Sequence, residues 1–430
     1  MKISPARLAA FEILRRIETE RAYSSVLLPV FEADLGESDR RLCHELVLGT
    51  LRRQIYLDRV VESFAKGKKL DIEVRLALRL GLYQLYFLDK IPQYSAINES
   101  VNLVQAARKT SAKGFVNAIL RKASLGAPKL AYANEIDRIS VETSHPQWLV
   151  DKWITDLEIA EAEAVGKANN HSPNTAFRLL AAASDEARKF AGTAKQSEFV
   201  KGAYVANGQG SELNRLAVGG EIYIQDEGSQ MVARAIEVPP NGRFLDVCAA
   251  PGGKTGLISL LNPTARMIAA GDIHRSRIQI LRDNCRHQRT EDVAIVQYDA
   301  TIELPFDNAS FDSVLVDAPC SGTGTVRRNP EIRYHLSESD FPDLFAKQLA
   351  ILTNASKLVK VGGSVTYSTC SIEREENEAV CSSFATANML FEPVNPEVDA
   401  RFFTPEGFVR TSPSRDGMDG FFIAKFRRVS

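Results

Sequence analysis

The 430-residue chain has little or none of several features that would mark other protein classes. No uninterrupted apolar run reaches the ~18 residues that a membrane helix needs, which excludes a helical membrane span. The start, Met1-Lys2-Ile3-Ser4-Pro5, leads into a charged amphipathic segment and not into an apolar signal core, so a cytoplasmic protein is expected. Cysteine is sparse: Cys43, Cys248, Cys285, Cys320, Cys370 and Cys381 include no C-x-x-C pair, which argues against a disulfide framework or a zinc ribbon. The six histidines contain no H-x-x-x-H pair, and no metal is expected.

What is present points to a folded chain of several domains. Hydrophobic residues make up 44% and charged residues 25%, enough for packed cores. At ~150 residues per domain the length suggests two or three. The net charge of -1 conceals an asymmetry. Residues 1–125 hold 21 Lys and Arg against 14 Asp and Glu, a surplus of seven, and the remainder carries a deficit of eight. A basic front joined to an acidic rear fits one module that meets a polyanion and another that does something else.

The front reads as helix almost throughout. Leu8, Phe11, Ile13, Leu14 and Ile17 fall at helical spacing, Ser38-Asp39 reads as an N-cap, and Glu73–Phe87, Ala96–Ala107 and Gly114–Lys122 supply further helices. This predicts an all-α bundle of six or seven helices over residues 1–127. After a linker at Ser124–Pro128, a helix is expected from Ser144-His145-Pro146 to Asn169. A small α/β subdomain is expected over 140–215, with strands at Thr175–Leu180 and Glu198–Val205. From 216 to 430, strands at Arg243–Val247, Met267–Asp272, Ala294–Tyr298, Ser313–Asp317 and Gly363–Tyr367 alternate with helices. That alternation predicts an α/β domain, a doubly wound and mostly parallel sheet whose ligands bind at the carboxyl ends of the strands.

The strand ends carry the chemistry. Asp246-Val247-Cys248-Ala249-Ala250-Pro251-Gly252-Gly253-Lys254-Thr255 joins a strand to a helix through small residues that let backbone N–H groups approach a ligand. It is neither G-x-G-x-x-G nor a Walker loop. Asp272 follows at about the 20-residue spacing that suits the ribose hydroxyls of an adenosine cofactor. Asp299, at the next strand end, suits the adenine amine. Acids at three strand ends beside a glycine turn read as an adenosine-cofactor pocket.

Two cysteines then set the reaction class. Cys320, in Asp317-Ala318-Pro319-Cys320-Ser321-Gly322-Thr323-Gly324, and Cys370, in Tyr367-Ser368-Thr369-Cys370-Ser371, lie at the ends of adjacent strands and should face one crevice. A lone buried cysteine is usually a small hydrophobe, the reading kept for Cys43, Cys285 and Cys381. A pair beside an acid and a cofactor pocket suits pyrimidine chemistry. Carbon 5 of a pyrimidine becomes nucleophilic only after a thiolate adds to carbon 6; a base must then remove the carbon-5 proton, and an acid near the ring offsets developing charge. Chemistry alone leaves open which cysteine attacks.

These three segments resemble the signature motifs of the RNA 5-methylcytosine methyltransferases. Tyr223-Ile224-Gln225-Asp226-Glu227-Gly228-Ser229-Gln230 is similar to the family's lead-in, and Arg410–Phe422 to its closing hairpin. Ala9–Leu14 and Asn117–Arg121 resemble a NusB-type RNA-binding domain, a pairing found in the family's Sun/Fmu branch. The resemblance implies a Rossmann-like methyltransferase domain, S-adenosyl-L-methionine as cofactor and a cytosine of 16S rRNA as target. It implies that Cys370 is the nucleophile and that Cys320 assists product release. Cys248, Ala249, Ala250, Pro251, Gly252, Gly253, Lys254, Asp272, Asp299 and Asp317 would hold the cofactor, with Asp317 also polarising the target ring. The chain departs from the family at Gly271, where a larger apolar residue is usual, and at Arg178-Leu179-Leu180, which keeps an arginine but lacks the asparagine of Arg-Val-Asn.

RNA contacts are expected from Arg327, Arg328 and Arg333 beside the pocket, and from a basic front surface of Arg52, Arg53, Lys66, Lys68, Lys69, Arg108 and Lys109. A monomer is expected. Three other readings compete: the same chemistry on transfer RNA or another RNA, a non-catalytic RNA-binding or antitermination scaffold, and a nicotinamide-dependent dehydrogenase. The missing G-x-G-x-x-G and the paired cysteines disfavour the last.

Overall fold

Pro5 opens the first helix, Pro5–Glu20, at a position where its missing N–H costs nothing, and Arg21 ends it in the left-handed region. The computed structural model describes residues 3–65 and 67–430; Lys66 lies outside the described residues. The chain divides into two units, Met1–Ser172 with Val326–Glu338, and Pro173–Thr325 with Ser339–Ser430.

The first unit is helical. Helix Ile72–Phe87 lies at its centre and buries Val74, Leu76, Leu78, Leu80 and Leu82. A helix apolar on every side, without a single stripe, belongs inside a bundle. Its Arg79 is buried too, paired with Asp58 and Glu18 at 2.6 Å each. The expected cap at Ser38-Asp39 lies inside helix Glu37–Arg52, which Gly36 precedes. Helices Glu135–Thr143, Gln147–Leu157 and Ile159–Ala168 also belong to this unit. Residues 140–172 are therefore not part of the small α/β subdomain, and the helix expected to reach Asn169 is broken at Glu158, whose φ is 68°.

The second unit holds two sheets. Strands β1 (Ala176–Leu179), β2 (Lys195–Gln196), β3 (Ala203–Val205) and β4 (Ile222–Ile224) form an antiparallel sheet in the order β2-β3-β1-β4. Pairing of Phe177 with Ile224 carries the small subdomain past residue 215. The larger sheet contains β5 (Arg243–Asp246), β6 (Met267–Asp272), β7 (Ala294–Gln297), β8 (Phe311–Asp317), β9 (Val359–Thr369), β10 (Phe391–Val394), β11 (Val409–Arg410) and β12 (Phe422–Arg428). Its order is β10-β12-β9-β8-β5-β6-β7, with β11 beside β12. Strands β5 to β9 are parallel and β10 to β12 antiparallel. The chain runs outward from β5 through β6 to β7, then returns to β8 on the other side of β5. That reversal opens a crevice at the carboxyl ends of β5 and β8, where doubly wound sheets bind ligands.

Candidate active site

Asp246, Asp272 and Asp317 each end a strand, and Cys370 follows Thr369, the last residue of β9. A cavity of about 460 Å³ lies at these ends. Its wall includes Cys248, Ala250, Pro251, Lys254, Asp272, Asp299, Asp317, Cys320 and Cys370. Ala249, Gly252 and Gly253 shape the turn behind it.

That turn is held from several sides. Gly252 has φ 106°, a conformation that favours glycine, and it caps the helix Gly253–Leu261. The carbonyls of Ala250, Pro251 and Gly252 accept from Arg277 (3.0 Å), Asn284 (2.8 Å) and Gln288 (3.1 Å). Arg178 lies buried across Tyr223 and donates to Gln225 at 3.0 Å and to Gln288. Its guanidinium therefore supports the glycine turn through Gln288 and is not exposed to RNA.

Gly271 has a physical reason. A Cβ there would come within 2.3 Å of the Tyr298 ring, so the missing side chain makes room for Tyr298 in the cavity wall. Tyr298 Oη and Asp246 Oδ1 are both buried without a protein partner. Burial pushes the Asp246 carboxyl up to about 7, although Thr255 donates to its other oxygen at 2.7 Å. Asp272 is buried, with Arg277 at 3.4 Å. Asp299 accepts from the backbone and hydroxyl of Thr301 at 2.9 and 2.7 Å, which hold its carboxyl below the usual range. One of its oxygens thus caps the following turn.

The reactive end is organised around Asp317. Lys254 Nζ lies 2.7 Å from one carboxylate oxygen, and Ser368 Oγ donates to the other at 2.8 Å. Burial opposes the Lys254 charge, but Asp317 outweighs it and raises the ammonium pKa. Cys320 Sγ and Cys370 Sγ are 3.4 Å apart. The hydrogen bond to Cys370, together with burial, holds the Cys320 thiol well above its ordinary value. Cys43, Cys285 and Cys381 are buried elsewhere.

Arg333 corrects one expectation. It is fully buried in the first unit, where it donates to the carbonyls of Thr143 (3.2 Å), Ser144 (3.1 Å) and Asn169 (3.3 Å). It closes the ends of two helices there and is not free to meet a phosphate. Arg327 is buried as well, Arg328 half-buried, and Arg52 donates to the Arg327 carbonyl at 2.9 Å. Within the expected basic surface, Arg53 lies over Phe87, Lys68 over Phe115, and Lys109 pairs with Asp71. Tyr298, Arg277, Lys347, Ile351 and Phe421 line the cavity without having been singled out. Phe421 and Lys347 come from a distant hairpin and a long helix, and local pattern carries no signal for that convergence.

S-adenosyl-L-methionine fits these residues. Asp272 offers a carboxylate for ribose hydroxyls, the cavity has room for the nucleoside, and Tyr298 Oη and Asp246 Oδ1 lack polar partners that a ligand or water would supply. Fold and crevice together define an S-adenosyl-L-methionine-dependent methyltransferase. Comparison with known proteins narrows the class. Residues 233–427 match the family described as 16S rRNA methyltransferase RsmB/F, and residues 4–124 match the NusB family. The chain is 34% identical to the probable ribosomal RNA small subunit methyltransferase B of Bacillus subtilis (strain 168), covering 100% of both chains. It is 31% identical to ribosomal RNA small subunit methyltransferase B of Pseudomonas putida, covering 99% of this chain and 98% of the other. The chain belongs to the ribosomal RNA small subunit methyltransferase B family. Among solved structures, PH0851 shares the fold with a TM-score of 0.82 at 24% identity, covering 100% of both chains. NSun6 from Pyrococcus horikoshii, solved with SFG, has a TM-score of 0.55 at 18% identity, covering 66% of this chain and 98% of that one.

Proposed function

We propose that this enzyme methylates carbon 5 of a cytosine in 16S rRNA, in the cytoplasm, through a covalent adduct between Cys370 and carbon 6. The observation that carries the reading is the 3.4 Å approach of Cys320 and Cys370 beside the Asp317–Lys254 pair. S-adenosyl-L-methionine, when bound, supplies an electrophilic methyl group on a sulfonium. Cys248, Ala250, Pro251, Asp272 and Asp299 line its side of the cavity, with Ala249, Gly252 and Gly253 holding the turn.

Cys370, given the role of nucleophile by the resemblance of its motif to the family's, attacks carbon 6. The Cys370 thiolate forms a bond to carbon 6, and the ring electrons move to carbon 5, which takes the methyl group. Asp317, fixed by Lys254 and Ser368, polarises the ring. Cys320, whose sulfur lies 3.4 Å from that of Cys370, enters this step as the thiolate, takes the carbon-5 proton and becomes the thiol. The carbon 6–sulfur bond breaks, and Cys370 leaves as a thiolate. A stacked cytosine has to be extruded first, at a cost of a few kcal/mol that basic contacts from the NusB-like unit would offset.

Bisulfite mapping of RNA from cells with and without the gene tests the reading. Loss of one 16S rRNA methylcytosine is expected. Loss confined to transfer RNA would overturn the substrate, and no change in any RNA would overturn the reaction.

A further inference from the structure

Glu376 is completely buried in the turn that follows Cys370. Its carboxylate accepts four hydrogen bonds. One oxygen takes Ser321 N at 2.8 Å and Gln348 Nε2 at 2.9 Å; the other takes Ser321 Oγ and Ser371 Oγ, both at 2.5 Å. Ser321 follows Cys320, and Ser371 follows Cys370. One side chain therefore grips the neighbour of each thiol.

The grip is itself anchored. Tyr367 Oη donates to the Glu376 carbonyl at 2.6 Å, and Asn377 spans the turn by accepting from Thr369 Oγ1 (2.6 Å) and donating to the Ser371 carbonyl (2.9 Å). The two loops also meet through Gly324 N and the Cys370 carbonyl at 2.9 Å, and through Ile372 N and Thr323 Oγ1 at 3.1 Å. Both of those links lie beyond Ser321, on the far side from Cys320. Removing Glu376 would leave the Ser321 amide without its acceptor; Gln348 would keep the Pro319 carbonyl (3.0 Å) and Ala318 N the Ser368 carbonyl (2.8 Å), so the loosening falls on Ser321, the residue after Cys320.

We propose that Glu376 is a positioning residue of the transfer reaction, fixing the separation of the Cys320 and Cys370 sulfurs by holding Ser321 and Ser371 on one carboxylate. The proposal rests on the two-thiol reading given above. Glutamine should substitute: its amide oxygen accepts from Ser321 N and Gln348, and its NH2 donates to the two serine hydroxyls, which lie 3.1 Å apart.

The test uses the full chain as wild type, Glu376→Ala and Glu376→Gln, with two readouts. One is steady-state methyl transfer to 16S rRNA. The other is the rate at which a diazenedicarboxamide oxidant couples Cys320 to Cys370; the thiols lose two protons and two electrons to the oxidant, and an S–S bond forms. For Glu376→Ala, kcat should fall about hundredfold with KM for RNA and donor within about threefold, and coupling should slow about tenfold. Glu376→Gln should stay within about threefold of wild type in both assays. Wild-type coupling in Glu376→Ala, or a glutamine variant as impaired as the alanine one, would overturn the positioning role. Slower coupling with unchanged transfer would overturn it too, and would put the fault in the two-thiol reading. If Glu376→Ala fails to fold, Ser321→Ala removes one of the four bonds; coupling slowed about threefold or more is expected, and a wild-type rate would overturn the proposal.

Discussion

Cys320 and Cys370 lie 50 positions apart in the chain, yet their sulfurs approach to 3.4 Å. The resemblance to the family's motifs divides their roles, with Cys370 as nucleophile and Cys320 aiding product release. Cys370→Ala should abolish methylation while leaving donor affinity within about twofold of wild type, since the cofactor-side residues are untouched. Cys320→Ala should leave RNA attached to Cys370, seen as a slow band on a denaturing gel. Turnover in the first variant, or a wild-type gel for the second, would reverse the assignment.

Lys254 bears on the reaction through Asp317. Lys254→Met keeps the stem but removes the cation 2.7 Å from the carboxylate. A hydrogen bond to a charged group is worth ~1.5–3 kcal/mol, so single-turnover transfer should slow by roughly ten- to hundredfold. An unchanged rate would show that Asp317 needs no cation.

Gly271 and Tyr298 form a complementary pair, so Gly271→Val should drive the Tyr298 ring into the cofactor cavity. Overpacking of this kind costs ~1–3 kcal/mol, and donor affinity measured by calorimetry should fall along with the melting temperature. Adding Tyr298→Gly should restore both. A single variant with full affinity would show that the ring has somewhere else to go.

Asp246 makes stability depend on pH. Its carboxyl titrates at about 7 when folded, raised by burial, against ~3.9 in an unfolded chain. The native state holds the proton more tightly. The associated stability is complete below pH ~4 and is lost as pH rises toward 7, a change on the order of 4 kcal/mol. Asp246→Asn should flatten melting temperature against pH across that window when donor is withheld; an unaltered slope would assign the effect elsewhere.

Arg333 tests the correction made above. Arg333→Met should destabilise the helical unit by roughly 2–4 kcal/mol, because carbonyls at two helix ends lose their donor. The salt dependence of RNA binding by the folded fraction should not change. A shallower salt slope would restore the phosphate-binding reading.

Much of this was legible in the sequence, and what was missed has a common cause. The five parallel strands, the glycine turn and the two cysteines are local patterns, and β6 matches its expected limits residue for residue. Gly271 was visible as a departure, but its partner Tyr298 lies 27 positions on, and only the fold shows the ring taking the vacant volume. Asp299 illustrates a double use, one oxygen capping a turn while the residue lines the cavity. Arg333 was misjudged because a basic residue after a glycine-rich loop looks solvated. Nothing in its neighbourhood shows that Val326–Glu338 is built into a different unit from the strands on either side. The β11–β12 hairpin was visible by resemblance, but the pairing of β12 with β9 and β10 was missed because those partners lie far off in sequence.

The excursion of Val326–Glu338 has a practical consequence for anyone dissecting the protein. Within it, Glu331 is buried and accepts from Ser24 N and Oγ at 2.7 and 2.9 Å, and Tyr334 Oη donates to the Leu51 carbonyl at 2.6 Å. A fragment ending at residue 172 would lose those plugs from its interior, while the complementary fragment would carry thirteen orphaned residues directly behind its Cys320 loop. The front and rear halves are woven together like a thread passed twice through the same cloth. Scissors applied once between them ruin both pieces, and a clean separation has to be engineered by replacing the stitch with a short flexible bridge and supplying the excised peptide to the other half.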